Sequence, residues 1–254
     1  MSELVSIERH GEIVILRIDR PPANAIDLDL CGSMERQFQA AMDGEPGALV
    51  LTGGSGPFFC GGLDLKVVPY YTAEQQRKMI LALNRMVARL YACPVPLVAA
   101  INGHAIAGGF ILALMADYRV GPTGPALFGL TEARTGIAFP AGTMIVLQAE
   151  LAPHQVRQIT LQARNFGPEE AVERGVLDEL GSPESVLERA LEVANDMGTM
   201  PANGYRRIKH QVRAATIAQL EQLEASGDDP LLAGWLSPES TTAAASVLRG
   251  TSGA

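Results

Sequence analysis

A long stretch without charged side chains constrains the fold more than any other feature of this sequence. No Asp, Glu, Lys or Arg occurs between Arg89 and Asp117, a span long enough to cross a bilayer. Two prolines, the pair Asn102-Gly103 and the pair Gly108-Gly109 interrupt it. Because these residues break a continuous helix, the stretch predicts a buried strand, a tight turn and a buried helix, and no membrane span.

Strand and helix signals alternate along most of the chain. Apolar residues on both sides of His10-Gly11 predict a β-hairpin, and the capping-box motif of Thr72 and Gln75 predicts a helix that runs to about Tyr91. Further strands are expected at 48–52, 97–101, 118–120 and 176–180, and further helices at 28–42, 108–116, 142–151, 153–162 and 168–174. This repeated order of strand, loop and helix predicts an α/β fold with right-handed crossovers.

The C-terminal part has a different character. From residue 183 onward the spacing of apolar residues predicts only helices, at 183–197, 201–225 and 238–249. We therefore divide the chain near residue 195, into a core of residues 1–195 and a helical region of residues 196–254.

Composition and charge exclude several classes of protein. The 254 residues, 47% of them hydrophobic, are enough to bury a sizeable core. A formal net charge of -8 disfavours binding to nucleic acid or to anionic membranes. The three cysteines are odd in number and lack metal-type spacing, so we expect buried free thiols, no metal site and a reducing compartment. With no signal-peptide pattern at the N-terminus, the expected location is cytoplasmic.

Two glycine-containing segments follow predicted strands and carry backbone N–H groups suited to binding a ligand. They are F-F-C-G-G-L-D-L, Phe58 to Leu65, and H-A-I-A-G-G-F, His104 to Phe110. Glycine allows close approach of the backbone, and the first N–H groups of a helix have no internal partner, so two such donors can form an oxyanion hole. Each segment taken alone also fits a simple tight turn. Neither matches a P-loop or a dinucleotide fingerprint, and no nucleophile elbow occurs.

Glu132 is the candidate base of the sequence. It lies in F-G-L-T-E-A-R-T-G-I-A-F-P, Phe128 to Pro140, among Leu130, Ile137 and other apolar residues. A carboxyl in apolar surroundings tends to have a raised pKa, as a general base near neutral pH requires. The alternative is a glutamate that is exposed or paired with Arg134.

Taken together, these segments resemble the enoyl-CoA hydratase/isomerase family, also called the crotonase family. The resemblance covers essentially the whole chain and includes R-P-P-A-N-A-I at Arg20 to Ile26, the F-C-G-G-L-D-L loop, N-G-H-A-I-A-G-G-F and the Glu132 segment, in this order. It implies a crotonase-like α/β spiral of repeated β-β-α units, followed by a helical region that assembles a homotrimer or a hexamer.

The resemblance also implies a site for an acyl-CoA. The N–H groups of Leu63 and Gly108 would bind the thioester carbonyl, and Glu132 would be the catalytic acid and base. Arg20 to Ala25 and the loop Gly61 to Leu65 would lie along the coenzyme A moiety and its pantetheine arm, and Thr131 would lie near the acyl chain. The implied substrate-binding residues are Pro22, Ala23, Asn24, Gly61, Gly62, Leu63, Asp64, Leu65, Gly108 and Thr131. No cofactor is implied, since coenzyme A is part of the substrate.

The residue at position 111 bears on the reaction. Hydratases of the family use two glutamates, at the positions of Ile111 and Glu132, whereas isomerases that move a double bond from C3 to C2 need one base. The P-P-A-N, G-L-D-L and I-A-G-G-F-I-L-A-L segments are most similar to mitochondrial-type Δ3,Δ2-enoyl-CoA isomerases. We therefore expect an enoyl-CoA isomerase of fatty-acid metabolism. Two alternatives stay open: a hydratase or other acyl-CoA enzyme that takes a second carboxylate from elsewhere, and a catalytically silent acyl-CoA-binding protein.

Overall fold

The computed structural model describes residues 3–251, and in the last helix it describes side chains up to residue 246. The predicted helical region therefore extends at residues 252–254 beyond the described part of the chain. The strands are β1 (Val5–His10), β2 (Ile13–Ile18), β3 (Ala48–Gly53), β4 (Phe58–Cys60), β5 (Leu97–Ala100), β6 (His104–Ile106), β7 (Tyr118–Pro122), β8 (Phe128–Gly129) and β9 (Glu179–Gly181). The helices are α1 (Leu28–Asp43), α2 (Ala73–Tyr91), α3 (Gly108–Leu114), α4 (Glu132–Thr135), α5 (Ala141–Glu150), α6 (Pro153–Gln162), α7 (Pro168–Glu173), α8 (Val186–Gly198), α9 (Ala202–Ser226) and α10 (Pro238–Thr251).

Six strands form the main sheet, in the order β1-β2-β3-β5-β7-β9. β1 and β2 make the predicted antiparallel hairpin, and each of the remaining neighbours pairs in parallel. The central strands read as continuous apolar runs because both faces of the sheet are covered. α8 covers one face through Val186, Ala190 and Ala194. The larger core lies on the other face, beneath α1, α2, α3 and α5. The α/β expectation is confirmed.

Three very short strands form a second sheet, in the order β4-β6-β8 and parallel throughout. None of them was predicted, because strands of two or three residues next to glycines carry too little apolar alternation to be recognised. This small sheet places the loops of the candidate site, since all three strands end at the same edge.

The predicted helices are largely confirmed, with shifts of a few residues at their ends. Thr72 and Gln75 form both halves of the capping box at the start of α2. α9 packs against α2 and α5, so part of the helical region lies on the core. The boundary expected near residue 195 falls inside α8, which packs on the main sheet; the helices beyond it begin with α9. The division into two regions stays a prediction.

Two further searches of the described residues gave negative results. Within residues 3–251, no helix has the length and apolar character needed to cross a membrane. The same part of the chain holds no group of three or more His, Cys, Asp or Glu side chains that can bind a metal ion.

Candidate active site

Three loops leave the carboxyl edge of the small sheet and bring the predicted site residues together. Gly61 to Leu65 follows β4, Ala107 and Gly108 follow β6, and Leu130 to Glu132 follows β8. Neighbouring strands lie about 5 Å apart, so the loops are adjacent. β6 and β8 are also joined just beyond their ends, where the Ala107 N–H donates to the Gly129 carbonyl at 2.8 Å. The carboxyl edge of parallel strands is the usual place for a ligand in such sheets.

The two glycine loops touch each other. A Cβ atom built on Gly62 would lie 2.6 Å from the Ala107 Cβ and 3.0 Å from the Gly108 N, too close for any side chain. Gly62 has a positive φ of 86°, which other residues rarely adopt. Within residues 3–251, the N–H groups of Leu63 and Gly108 have no hydrogen-bond acceptor. Two unsatisfied donors therefore lie on adjacent loops, as an oxyanion hole requires.

Backbone hydrogen bonds fix the first glycine loop against the Pro22 to Ile26 segment. The Ile26 N–H donates to Gly62 O at 2.7 Å, and the Asp64 N–H donates to Ile26 O at 2.9 Å. The residues on either side of Leu63 are therefore hydrogen-bonded to Ile26, while the Leu63 N–H itself is not. The Gly61 N–H donates to Ala23 O at 2.8 Å. The two segments that the resemblance places along the substrate are thus bonded to each other and form one continuous surface.

The side chain of Arg20 makes several contacts that stabilise this surface. Its guanidinium forms ion pairs with Asp27 at 2.7 Å and Asp64 at 2.8 Å and donates to the Ala25 carbonyl at 2.7 Å. The buried Asn24 side chain accepts from the Arg20 N–H and donates to the carbonyl of Phe58. Arg20 and Asp64 therefore hold the loop in shape, and their charges neutralise each other.

The remaining implied contacts lie around the same loops. Pro22 is exposed and follows a cis peptide bond after Pro21, and Leu65 is partly buried against the core. Thr131 is half-buried and precedes α4, with no capping hydrogen bond from its side chain. All the predicted site residues thus lie on the three loops or on the Pro22 to Ile26 segment that supports them.

Glu132 begins α4 with its carboxyl turned into the protein. Its Oε2 is fully buried and has no hydrogen-bond partner; among the described residues, only Arg119 Nη1 shares this condition. Burial raises the pKa of the Glu132 carboxyl from 4.5 to about 8, and the neighbouring backbone N–H groups of Thr131 and Glu132 only partly offset this rise. A carboxyl of this kind binds a proton more strongly than an ordinary glutamate, and it lies on the loop that neighbours the second glycine loop.

Arg134 does not pair with Glu132. Its guanidinium instead donates to the backbone carbonyls of Ala163 and Gln162 at the end of α6. Within residues 3–251, each other carboxylate that is not exposed has a partner. These pairs are Asp27 and Asp64 with Arg20, Glu35 with Arg85, Asp117 with Lys209, Glu150 with Tyr91, Glu170 with Arg174, Glu179 with Arg189 and Asp229 with Asn84. Glu132 is therefore the one available carboxyl that this part of the chain offers to a buried substrate.

Comparison with known proteins decides the family. The sequence model of the enoyl-CoA hydratase/isomerase family matches residues 8–231, which is most of the chain. The chain belongs to the enoyl-CoA hydratase/isomerase family. It is thus an acyl-CoA enzyme with the crotonase fold.

Individual members of this family differ in their reactions. A carnitinyl-CoA dehydratase from Citrobacter koseri is 31% identical over 223 residues, covering 87% of this chain and 85% of the relative. The structure of a Mycobacterium tuberculosis protein named an enoyl-CoA isomerase matches with a TM-score of 0.82 at 28% identity, covering 89% of this chain and 98% of the other. A second structure of the same protein, with a TM-score of 0.82 at 27% identity, bears the name probable enoyl-CoA hydratase. The human mitochondrial Δ3-Δ2-enoyl-CoA isomerase has a TM-score of 0.90, with 98% of both chains covered. Its 23% identity makes this a likeness of fold.

Ile111 occupies the position at which the hydratases of this family are expected to carry a second glutamate. It lies in the first turn of α3, is 2% exposed and belongs to the main hydrophobic core. Its N–H donates to Ala107 O at 3.2 Å. Nothing at this position can accept a proton or bind a water molecule.

Three other residues near the glycine loops have simple structural surroundings. His104 packs against the Phe58 ring at 4.8 Å, and its Nδ1 accepts from the Leu127 N–H, so it joins the start of β6 to β4 and to the residue before β8. Burial raises the pKa of the Cys60 thiol to about 12, which makes it a poor nucleophile. Lys66 is exposed, and among the described residues its ammonium has no ion-pair partner.

Proposed function

We propose that this enzyme moves the double bond of a 3-enoyl-CoA to C2, with Glu132 as its single acid and base. The observation that carries the proposal is the buried Oε2 of Glu132, which has no partner within residues 3–251 and lies on a loop adjacent to the loop of the unsatisfied Gly108 N–H. Apolar Ile111 and the pairing of the other carboxylates favour one base over two.

The proposed reaction begins with the Glu132 carboxylate removing a proton from C2. The electron pair of the C–H bond moves toward the thioester carbonyl, and negative charge develops on its oxygen. The N–H groups of Leu63 and Gly108 hold this charge, and such donors are typically worth about 3 kcal/mol each in the transition state. Protonated Glu132 then returns the proton to C4, which leaves the double bond between C2 and C3.

The environment of Glu132 suits both proton transfers. A base with a pKa of about 8 binds a proton more strongly than an ordinary carboxylate does, which helps it to deprotonate a weakly acidic carbon. Burial also keeps bulk water away from the developing enolate. General acid–base catalysis of this kind is commonly worth about 100- to 10,000-fold in rate.

The binding part of the proposal follows the same surface. Coenzyme A would lie along Ala23 to Ala25 and the loop from Gly61 to Leu65, with Thr131 near the acyl chain. Since Arg20 is already paired with Asp27 and Asp64, the free cation available to the phosphates from this loop is Lys66. We also retain the predicted homotrimer or hexamer as a proposal.

One observation favours a second candidate. The curated relative from Citrobacter koseri is a dehydratase, and its 31% identity extends over most of both chains. In that case, a water molecule would be added or removed beside Glu132, with a second proton carrier that Ile111 does not provide. A catalytically silent acyl-CoA-binding protein is the third candidate.

A two-substrate assay distinguishes the three candidates. An isomerase converts a 3-enoyl-CoA to the conjugated 2-enoyl-CoA, and a hydratase adds water to a 2-enoyl-CoA; a silent protein binds both and converts neither. The Glu132→Gln variant keeps the shape of the side chain and removes its ability to carry a proton. We expect it to bind acyl-CoA as the wild type does and to lose isomerisation. An active Glu132→Gln enzyme would falsify the role of this residue.

A further inference from the structure

The C-terminal region packs back over the segment that carries Glu132. We call residues 229–241 the strap and residues 132–141 the base segment. The indole Nε1 of Trp235 donates to the carbonyl of Ala138 at 2.8 Å, and Trp235 is only 5% exposed. The strap was predicted to belong to a region that serves assembly; its contacts show that it also belongs to the surroundings of the site.

Two further contacts hold the base segment against the strap. The Asp229 carboxylate accepts from the Ala141 N–H at 2.8 Å, which fixes the first residue of α5. Ser240 lies against Gly136, where a built Cβ would be 3.6 Å from the Ser240 Cβ. α10 makes its principal helix contact with α4. The base segment is thus held near its middle and at its far end by residues about a hundred positions away.

The strap also reaches the chain segment that follows the loop from Gly61 to Leu65. The Leu236 N–H donates to the Gln76 side chain at 3.3 Å. The Thr241 hydroxyl lies 3.5 Å from the Pro69 carbonyl, although its nearer acceptor is the Ser237 carbonyl at 3.2 Å. Pro69 lies in the 3₁₀ turn Val68–Tyr70, a few residues beyond Leu65. The strap therefore contacts both the base segment and the residues that follow the loop from Gly61 to Leu65.

The orientation of the Glu132 carboxyl depends on the conformation of the backbone that carries it. Its Oε2 has no donor among the described residues, and the groups that interact with the carboxyl are the backbone N–H groups of Thr131 and Glu132. Its own carbonyl closes a tight turn by accepting from the N–H groups of Gly136 and Ile137. Ala138 directly follows this closed turn, so a bond that fixes Ala138 also fixes the turn that presents the carboxyl.

We propose that Trp235 is a positioning residue for the Glu132 base, acting through its hydrogen bond to the Ala138 carbonyl. This inference rests on the proposed function. Small displacements of a catalytic group lower the rate strongly, because proton transfer requires close and aligned atoms. Neither Trp235 nor Ala138 is among the residues assigned to coenzyme A, so loss of the bond should affect the chemical step more than substrate binding.

The test compares Trp235→Phe with Tyr205→Phe. Trp235→Phe keeps an aromatic ring and removes the N–H donor to Ala138. Tyr205→Phe removes a donor of the same helical region, the hydroxyl that bonds Asp117 at 3.0 Å, and serves as the matched control. For each protein, kcat and KM are measured with a 3-enoyl-CoA, and amide hydrogen exchange is followed in residues 136–139. Thermal unfolding identifies the temperature range in which all three proteins are folded.

We expect Trp235→Phe to lower kcat by about tenfold or more while KM stays within about twofold of wild type. Exchange at residues 136–139 should accelerate in this variant, and Tyr205→Phe should leave both quantities unchanged. A wild-type kcat in Trp235→Phe, unchanged exchange, or equal losses in both variants would overturn the positioning role. If the wild type isomerises no 3-enoyl-CoA, the proposed function fails, and the exchange result alone then decides whether Trp235 fixes the base segment.

Discussion

The burial of Glu132 should make the wild-type protein less stable as the pH rises, and Glu132→Gln should remove this effect. The folded protein holds the carboxyl proton up to a pKa of about 8, whereas the unfolded chain releases it near 4.5. Between these values the folded state binds more protons, so the free energy of unfolding falls with increasing pH. Glutamine does not titrate and keeps the same shape.

The magnitude follows from the difference between the two pKa values. Each pH unit between them is worth about 1.4 kcal/mol, so the wild type should lose about 3 kcal/mol relative to Glu132→Gln between pH 4.5 and pH 7. Below the lower value the two states bind the proton equally, and the contribution vanishes. Such a loss is a sizeable part of the stability of an ordinary domain. We therefore infer that the buried carboxyl is retained for function.

Urea unfolding at a series of pH values measures this difference. Wild type, Glu132→Gln and the control Glu173→Gln, which changes an exposed carboxyl on α7, are compared at one protein concentration. The stability advantage of Glu132→Gln should grow steadily from pH 4.5 to pH 7, and that of the control should not. A constant difference over this range would refute the buried, unpaired state of Glu132.

Three further outcomes are expected. The value of kcat/KM for a 3-enoyl-CoA should fall about tenfold per pH unit below a limit near 8, because the ionised form of Glu132 is required; a flat profile from pH 6 to 9 would count against this base. Gly62→Ala, whose methyl would meet Ala107 at 2.6 Å, should lower kcat/KM by about 100-fold or more. Gly124 has a similar positive φ but open space around it, so Gly124→Ala should keep a kcat/KM close to that of wild type. Equal losses of kcat/KM in both variants would show that backbone strain alone is responsible. The sequence has a single tryptophan, so the fluorescence of Trp235 should change when Glu132→Gln binds a 3-enoyl-CoA; binding detected by calorimetry without a change in emission would argue against contact between strap and site.

The features that were predictable from the sequence are local ones. The capping box of Thr72 and Gln75 needs only neighbouring residues, and α2 begins where it predicts. The hairpin around His10-Gly11 is likewise set by its own turn and apolar alternation. The glycine segments could be recognised as donors only together with the Glu132 segment, because each of them alone also fits a tight turn, and β4, β6 and β8 were too short to be found.

The features that were not predictable depend on contacts between distant residues. Whether Glu132 pairs with Arg134 is decided by the end of α6, since Ala163 and Gln162 supply the carbonyls that Arg134 binds. The pairing of Arg20 with Asp64 likewise joins segments far apart in the chain. The bond between Trp235 and Ala138 spans 97 positions, and no pattern near Trp235 indicates it.

The transfer of a labelled hydrogen tests the single-base mechanism most directly. A 3-enoyl-CoA that carries deuterium at C2 is converted in ordinary water, and the product is analysed for deuterium at C4. One buried carboxyl that removes the C2 hydrogen and returns it to C4 predicts that a measurable part of the label appears at C4. A product formed at full rate with no deuterium at C4 would contradict direct proton transfer from C2 to C4 by Glu132.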